Sequence, residues 1–131
     1  MKKEKIVFHV DDDQDDRLFF EEALESFGSK DFHSFGTFEA ALKALAHTQP
    51  DLIYMDFWIP GTTAPQFLKS LSEKIDMSKV TVHIISGTEV PYFFRELLDR
   101  YDVQYHLKPN SLKDLKNLLA TELRPDAELK N

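Results

Sequence analysis

Four groups of polar residues follow short apolar runs of the sequence, and their types suit phosphoryl transfer. In chain order they are Asp11-Asp12-Asp13, Asp56, Ser86-Gly87 and Lys108-Pro109. A carboxylate can act as a nucleophile toward phosphorus and form an acyl phosphate. Because the phosphoryl group is anionic, its charge must be offset, and Mg²⁺ held by further carboxylates can do this. A lysine and a hydroxyl can bind the remaining phosphoryl oxygens, so the set is suited to transfer of phosphate to an aspartate.

The apolar runs predict the strands that would position these residues. They are rich in β-branched and aromatic residues and largely apolar on both faces, which is typical of parallel strands covered by helices on both sides. The predicted strands are residues 6–10, 52–55, 80–85 and 103–107, with 32–35 as a weaker fifth candidate.

Five segments with apolar residues at helical spacing alternate with these strands. Thr37 and Ser111 are expected to be N-caps, Pro65 suits a first turn, and Gly28 would close the first helix. The apolar stripes cover residues 20–27, 38–45, 67–71, 93–101 and 112–119, and the last helix is expected to end near residue 123. The (βα)5 order predicts an α/β fold with a doubly wound, five-stranded parallel sheet. Sites in such sheets lie beyond the carboxyl ends of the strands, where the polar groups fall.

The composition excludes several other functions. The chain has 131 residues, the size of one domain, and 23 acidic against 16 basic residues give a net charge of -7, which disfavours nucleic-acid binding. It contains no cysteine, so disulfides and Cys-ligated zinc are excluded. No apolar run approaches the roughly 20 residues that span a bilayer. The amino terminus offers no signal-peptide cleavage site, and a cytoplasmic location without membrane contact is expected.

Four motifs in this order resemble the receiver domain of two-component response regulators. They are Val10-Asp11-Asp12-Asp13, Asp56 followed by Pro60-Gly61, Ser86-Gly87 and Lys108-Pro109, each after a predicted strand. The resemblance covers about residues 4–123. It implies a flavodoxin-like strand order of 2-1-3-4-5 and a single receiver domain over residues 1–131 with no output domain.

The resemblance also implies a role for each motif residue. Asp56 would be the phosphoacceptor, and Mg²⁺, or alternatively Mn²⁺, would be held by Asp11, Asp12, Asp56 and the backbone carbonyl of Trp58. Lys108 would pair with the phosphoryl group.

Further positions resemble the switch and access residues of the family. Ser86 would turn inward to hydrogen-bond the phosphoryl group, and Tyr105 matches the aromatic switch residue that moves from exposed to buried. Gly87 would leave access to the phosphoryl group open. The bulk of Trp58, and the lack of a carboxylate or amide at Thr88 to orient water, are predicted to slow loss of the phosphate.

The implied function is a stand-alone switch in phosphorelay signal transduction. It would take phosphate from a histidine kinase or phosphotransfer protein and catalyse only its own phosphorylation and dephosphorylation. A downstream protein would bind the face formed by the fourth helix, fifth strand and fifth helix, which could also support a homodimer. The residues expected to be partly exposed on this face are Tyr92, Arg95, Glu96, Asp99 and Tyr105.

Simpler roles and other functions remain as alternatives. Asp13 could be an N-cap, and Asp15 and Asp16 could be acids favoured by a helix dipole. The five histidines, His9, His33, His47, His83 and His106, lack close metal-ligand spacing and are expected to be structural or surface residues.

Two other classes of function are weighed against the switch. A haloacid-dehalogenase-type phosphatase would match the spacing of Asp11 and Asp13, but the later acidic pair and a cap domain are lacking. A phosphorylation-independent adaptor with a receiver fold is disfavoured by the complete set of acid, hydroxyl and lysine.

Overall fold

In the computed structural model, which describes residues 4–123, strands and helices alternate along the chain as the sequence predicts. The elements are β1 (Val7–Val10), α1 (Gln14–Glu25), β2 (Phe32–Phe35), α2 (Phe38–Ala44), β3 (Leu52–Met55), α3 (Ala64–Lys74), β4 (Thr81–Ser86), α4 (Tyr92–Leu98), β5 (Gln104–Leu107) and α5 (Leu112–Leu119). Single 3-10 turns, Met77–Lys79 and Asp99–Tyr101, precede β4 and follow α4. The ends of the expected 1–131 domain, residues 1–3 and 124–131, lie outside the described part.

The five strands form one parallel sheet in the order β2-β1-β3-β4-β5, which confirms the predicted fold class and strand order. The winding direction reverses between β1 and β3, which lie side by side with Val10 opposite Met55. The residues that follow these two strands, Asp11 and Asp56, therefore meet at the same edge. On the other side of β3, Ser86 at the end of β4 lies opposite Leu107 of β5, which brings Lys108 to this edge as well.

Helices cover both faces of the sheet because side chains alternate along each strand. In β3, Ile53 and Met55 belong to the core under α2, α3 and α4, whereas Leu52 and Tyr54 belong to the core under α1 and α5. The central strands β1 and β3 are buried along their whole length. The prediction of apolar strands covered on both faces holds for them but is wrong for β5, an edge strand in which Leu107 is 60% exposed.

Several predicted helix ends differ from the structure. The fourth stripe was expected to run to Tyr101, but α4 ends at Leu98 and the chain tightens into a 3-10 turn that closes at Asp102 in a left-handed conformation (φ 56°). Phe93, assigned to that stripe, is 67% exposed and lies outside the core. α5 ends at Leu119, although turns continue to the buried Leu123. Gly28, with φ 71°, closes the turn after α1 three residues beyond its last residue.

The predicted N-caps at Thr37 and Ser111 are confirmed, since each side chain accepts a hydrogen bond from a backbone N–H of its helix. Pro65 lies in the first turn of α3 as expected. Within residues 4–123, none of the helices is long and apolar enough to cross a membrane.

We expect loss of the Thr63 hydroxyl to destabilise the protein by about 1 kcal/mol. Thr63 caps α3 through a capping box, in which its Oγ1 accepts from the Gln66 amide at 3.3 Å and the Gln66 side chain accepts from the Thr63 amide at 3.1 Å. Urea unfolding of Thr63→Ala should show this loss, whereas Thr63→Ser, which keeps the hydroxyl, should stay close to the parent. Equal losses in the two variants would show that the cap does not contribute.

Candidate functional site

Three carboxylates converge at the carboxyl edge of β1 and β3. The backbone amide of Asp11 donates to Phe35 at 3.0 Å and that of Asp56 donates to Val10 at 2.9 Å, so the strand ladder holds both residues. Asp11 is 2% exposed and Asp56 7% exposed, while the neighbouring Asp12 lies on the surface. One carboxylate oxygen from each of the three residues lies within 4.8 Å of the others.

Lys108 reaches these acids from the end of β5. Its backbone amide donates to Ser86 at 2.8 Å, which continues the pairing of β4 and β5 by one residue. Its Nζ lies 3.0 Å from Oδ2 of Asp56 and 3.4 Å from Oδ2 of Asp11. The structure therefore brings together the predicted acids and the predicted lysine, although they are up to 97 positions apart in sequence.

The pKa values of these groups reflect burial and crowding. Burial raises the pKa of Asp11 to about 6, with the charge of Asp56 acting in the same direction, while the hydrogen bond from the Asp13 amide opposes the rise. Burial would lower the pKa of Lys108, but hydrogen bonds from its ammonium to Asp16 and Asp56 and the charges of Asp56 and Asp11 outweigh it and raise the pKa. The lysine is thus held in its charged form.

The acid pocket has the donor set of a site for a hard divalent cation. Mg²⁺ and Mn²⁺ prefer oxygen ligands, and Mg²⁺ keeps several of its waters, so a few protein carboxylates suffice. Asp11, Asp12 and Asp56 offer such oxygens within a single ion's reach. The exposure of Asp12 leaves one side of the pocket open to solvent, where the remaining ligands of an ion can be water.

Ser86 borders a separate cleft next to this pocket. Its side chain is buried, and its Oγ accepts a long hydrogen bond of 3.3 Å from the Thr88 amide. The cleft is lined by Ser86, Thr88, Glu89, Val90, Arg95, Tyr105, His106 and Leu107. Gly87 and Thr88 are exposed, and a Cβ added to Gly87 would meet nothing within 4 Å. The approach to Ser86 is therefore open.

Tyr105 is half-buried on the far side of the same cleft. Its hydroxyl donates to Oδ1 of Asp99 at 2.9 Å, and the Arg95 guanidinium lies 4.5 Å from its ring centroid. Burial and the Asp99 carboxylate raise its pKa to about 12, so the phenol stays protonated and donates. Tyr105 thus joins β5 to α4 and the turn after it. The other residues expected on this face, Tyr92, Arg95, Glu96 and Asp99, are exposed.

Trp58 follows the acid pocket in sequence, two residues after Asp56. Its backbone amide lies 3.3 Å from Oδ1 of Asp56, and its side chain is 53% exposed. The indole packs edge to face against Phe57 and Phe94, with ring centroids 4.6 Å and 6.1 Å away. An aromatic contact therefore links the loop after β3 to α4.

The strand histidines are packed, as expected for structural residues. His9 is buried against the ring of Phe20, and burial lowers its pKa to about 3. His83 is fully buried, stacks on Tyr54, and has its Nδ1 2.9 Å from Nε2 of His106. Burial lowers the pKa of His83 to about 4, so the pair stays neutral near pH 7.

Asp16 is the residue of this site that sequence reasoning missed. Asp13 is the N-cap of α1 and accepts from the amides of Asp15 and Asp16, and Asp15 is exposed, as the helix-dipole interpretation predicts. The Asp16 carboxylate, however, lies 2.8 Å from Nζ of Lys108. The available signal was its spacing, because Asp16 lies four residues before the buried Phe20 and thus on the side of α1 that packs against the sheet.

The five-stranded order and the pocket of acids with a lysine are those of a receiver fold, and comparison with known proteins agrees. The family model of the response regulator receiver domain matches residues 7–120. The chain belongs to this family. Receiver domains bind a divalent metal at an acidic pocket and act as signalling switches that interact with histidine kinases or phosphotransfer proteins.

Curated relatives and solved structures support the assignment. The two-component response regulator ORR6 of Oryza sativa subsp. japonica is 29% identical over 123 residues, which cover 89% of this chain and 70% of ORR6. The regulator ARR8 of Arabidopsis thaliana is 30% identical over 82 residues, or 60% of this chain and 36% of its own length.

Two solved structures share the fold at lower identity. The phosphorylated cyanobacterial phytochrome response regulator RcpA superposes with a TM-score of 0.76 at 19% identity, over 93% of this chain and 99% of that one. The Mn²⁺-bound response regulator Rcp1 superposes with a TM-score of 0.75 at 17% identity, over 92% and 95%. The family match over residues 7–120 favours a receiver over the haloacid-dehalogenase-type phosphatase.

We expect Asp11→Asn to stabilise the metal-free protein at high pH. Because the pKa of Asp11 is raised from 3.8 to about 6, the folded state binds more protons than the unfolded state between these values. Stability contributed by this group is therefore lost as pH rises through that window. In EDTA, the free energy of unfolding of Asp11→Asn should exceed that of the parent by on the order of 1 kcal/mol at pH 8 and by little at pH 4.

Urea unfolding at the two pH values measures this effect. Asp15→Asn, which removes an exposed acid nearby, is the control and should show no comparable pH-dependent gain. A gain for Asp11→Asn at pH 4 as large as that at pH 8 would contradict the assigned cause.

Proposed function

We propose that this chain is a phosphorylation-dependent switch that accepts a phosphoryl group on Asp56 from a histidine kinase or phosphotransfer protein. The observation that carries the proposal is the 3.0 Å contact between Nζ of Lys108 and Oδ2 of Asp56, beside two further carboxylates at the same edge. A lysine so placed can bind a phosphoryl oxygen once the group is attached to Asp56. This arrangement supports transfer to Asp56 over a surface role for these residues.

The chemistry is an in-line displacement at phosphorus. A carboxylate oxygen of Asp56 forms a bond to phosphorus while the bond from phosphorus to the donor's imidazole nitrogen breaks, and the imidazole leaves with that electron pair. Lys108 orients and stabilises the transferred oxygens by electrostatics. Asp11, Asp12, Asp56 and the backbone carbonyl of Trp58 would hold Mg²⁺ or Mn²⁺. A bound cation would offset the negative charge of the carboxylates and the phosphoryl oxygens.

The proposed response to phosphorylation passes through the cleft shared by Ser86 and Tyr105. The Ser86 hydroxyl makes only a 3.3 Å bond to Thr88, so a phosphoryl oxygen is a better partner. Rotation of Ser86 toward that oxygen would make room on its side of the cleft. Tyr105 would then move inward and leave Asp99, which would change the α4–β5–α5 face.

This face is the proposed contact surface for a downstream protein and for a possible homodimer. The exposed aromatic and charged side chains of α4, among them Tyr92 and Arg95, support it. A location in the cytoplasm and output by protein contact, without a nucleic-acid or membrane partner, complete the proposal. We propose further that Gly87 keeps the approach to the site open and that Thr88 offers no carboxylate or amide to orient water.

Phosphorylation of Asp56 can be tested by intact mass. The parent incubated with a small phosphoramidate donor and Mg²⁺ should gain one phosphoryl group, and Asp56→Ala or added EDTA should abolish the gain. Asp15→Asn is the control for loss of a nearby acid and should be phosphorylated like the parent. Donor turnover without an adduct would indicate a phosphatase, and neither adduct nor turnover would indicate an adaptor; both results contradict the proposal.

We expect Trp58→Asn to lose its phosphate faster than the parent. The indole follows Asp56 by two residues and packs against Phe57 and Phe94, whereas the smaller amide would admit water and could orient it toward phosphorus. Decay of the phosphorylated mass after removal of the donor gives the rate. Trp58→Phe, which keeps the bulk, is the control, and a Trp58→Asn rate no higher than that of the parent would contradict the role of Trp58.

A further inference from the structure

Lys108 makes its shortest contact with a residue outside the family motifs. Its Nζ lies 2.8 Å from Oδ2 of Asp16, against 3.0 Å from Oδ2 of Asp56 and 3.4 Å from Oδ2 of Asp11. An ammonium group has three N–H donors, and the geometry directs two of them to Asp16 and Asp56 as hydrogen bonds. Asp16 is therefore a full partner of the lysine in the unphosphorylated state.

The start of α1 holds Asp16 in this position. Asp13 accepts hydrogen bonds from the amides of Asp15 and Asp16 at 2.8 Å and 3.3 Å. Arg17 donates from Nη1 to the backbone oxygen of Asp11 at 2.6 Å, which joins the first turn of α1 to the end of β1. The Asp16 carboxylate thus projects from a rigid turn toward a lysine 92 positions away in sequence.

The two partners of Lys108 differ in what happens to them during the proposed reaction. When Asp56 becomes an acyl phosphate, its carboxylate loses its negative charge, and its hydrogen bond with the ammonium weakens. Asp16 does not react and keeps its charge. Lys108 has a long flexible side chain with high rotamer entropy, so a second fixed anchor favours the rotamers that place its ammonium beside the phosphoryl oxygens.

We propose that Asp16 is a positioning residue, which acts through Lys108 and holds its ammonium over the acceptor while the charge of Asp56 is consumed. The inference rests on the proposed phosphorylation of Asp56 and adds a residue to that reaction. It differs from the helix-dipole role of an acid at the start of a helix, since that role requires no contact with Lys108.

Asp15 provides a matched control on the same helical turn. It carries the same charge and lies in the same first turn, but it is exposed and forms no ion pair with the other residues in the range 4–123. Asp15→Asn therefore removes an equal charge from the helix start and leaves the Lys108 contact intact. A difference between Asp16→Asn and Asp15→Asn reports the contact rather than the net charge or the helix dipole.

A double-mutant cycle tests whether Asp16 acts through Lys108. The parent, Asp16→Asn, Lys108→Met and the double variant are phosphorylated with a small phosphoramidate donor at saturating Mg²⁺, and initial rates are measured by intact mass. Asp16→Asn should lower the rate about three- to tenfold in the parent, the range of one charge-assisted hydrogen bond. Asp16→Asn should not change the rate in the Lys108→Met background. Asp15→Asn should not change the rate in the parent or in the Lys108→Met background.

Three rate outcomes would overturn the proposal. An equal loss for Asp16→Asn in both backgrounds would show that Asp16 acts independently of Lys108. An equal loss for Asp15→Asn would assign the effect to charge alone. A faster rate for Asp16→Asn would show that Asp16 competes with the phosphoryl group for the lysine. Saturation with Mg²⁺ is verified for each variant by the fluorescence of Trp58, the single tryptophan of the chain.

A second measurement separates this proposal from the proposed function. The ¹⁵N NMR signal of the Lys108 ammonium should report a restricted side chain in the unphosphorylated parent and in Asp15→Asn. In Asp16→Asn it should report a side chain that averages over several rotamers. A parent that takes no phosphate but shows this pattern contradicts phosphorylation of Asp56 and, with it, the positioning role, while the contact stands. A parent that is phosphorylated, with rate and signal unchanged by Asp16→Asn, overturns only the positioning role.

Discussion

The Lys108 ammonium lies among three carboxylates, and the arrangement of the whole carboxyl edge depends on this interaction. Asp11, Asp16 and Asp56 all lie within 3.4 Å of its Nζ. Burial opposes the ionisation of Asp11, and the charges of Asp56 and Asp16 oppose it further, so that the pKa of Asp11 is raised. One cation cannot neutralise three acids together with the nearby Asp12. The pocket therefore keeps an excess of negative charge, which is the property that favours a divalent cation.

The fold maintains this crowding through backbone bonds that do not depend on the side chains. The β-ladder continues one residue past β1, β3 and β5, so that Asp11, Asp56 and Lys108 are each fixed by a main-chain hydrogen bond of 3.0 Å or less. Because the winding reverses between β1 and β3, no helix crosses over the edge between them. The sheet stabilises the fold, so the acids can lie close together at this edge although their mutual repulsion is unfavourable there.

Two series of contacts lead from the acid pocket to the α4–β5–α5 face. Ser86 ends β4 and borders the cleft that Tyr105 lines from β5, and Tyr105 is joined to Asp99 and Arg95 of the neighbouring turn and helix. Trp58, two residues from Asp56, contacts Phe94 of α4. α4 is short, lacks a side-chain N-cap bond, and buries little of its apolar surface, so it is well suited to shift.

The sequence by itself determined the alternation of strands and helices, the N-caps at Thr37 and Ser111, and the four motifs beyond the strand ends. These features are local, since they depend on side-chain periodicity, capping hydrogen bonds and the residue types next to each strand. The convergence of Asp11, Asp56 and Lys108 followed once the sheet was parallel. Only the tertiary structure decided that Asp16 binds Lys108, that α4 stops at Leu98, and that His83 pairs with His106. The two side-chain pairs depend on which groups come within about 3 Å of each other across the fold, and at that distance the final packing, rather than the pattern of the chain, selects the partner. The end of α4 depends on the backbone, which tightens into a 3-10 turn after Leu98.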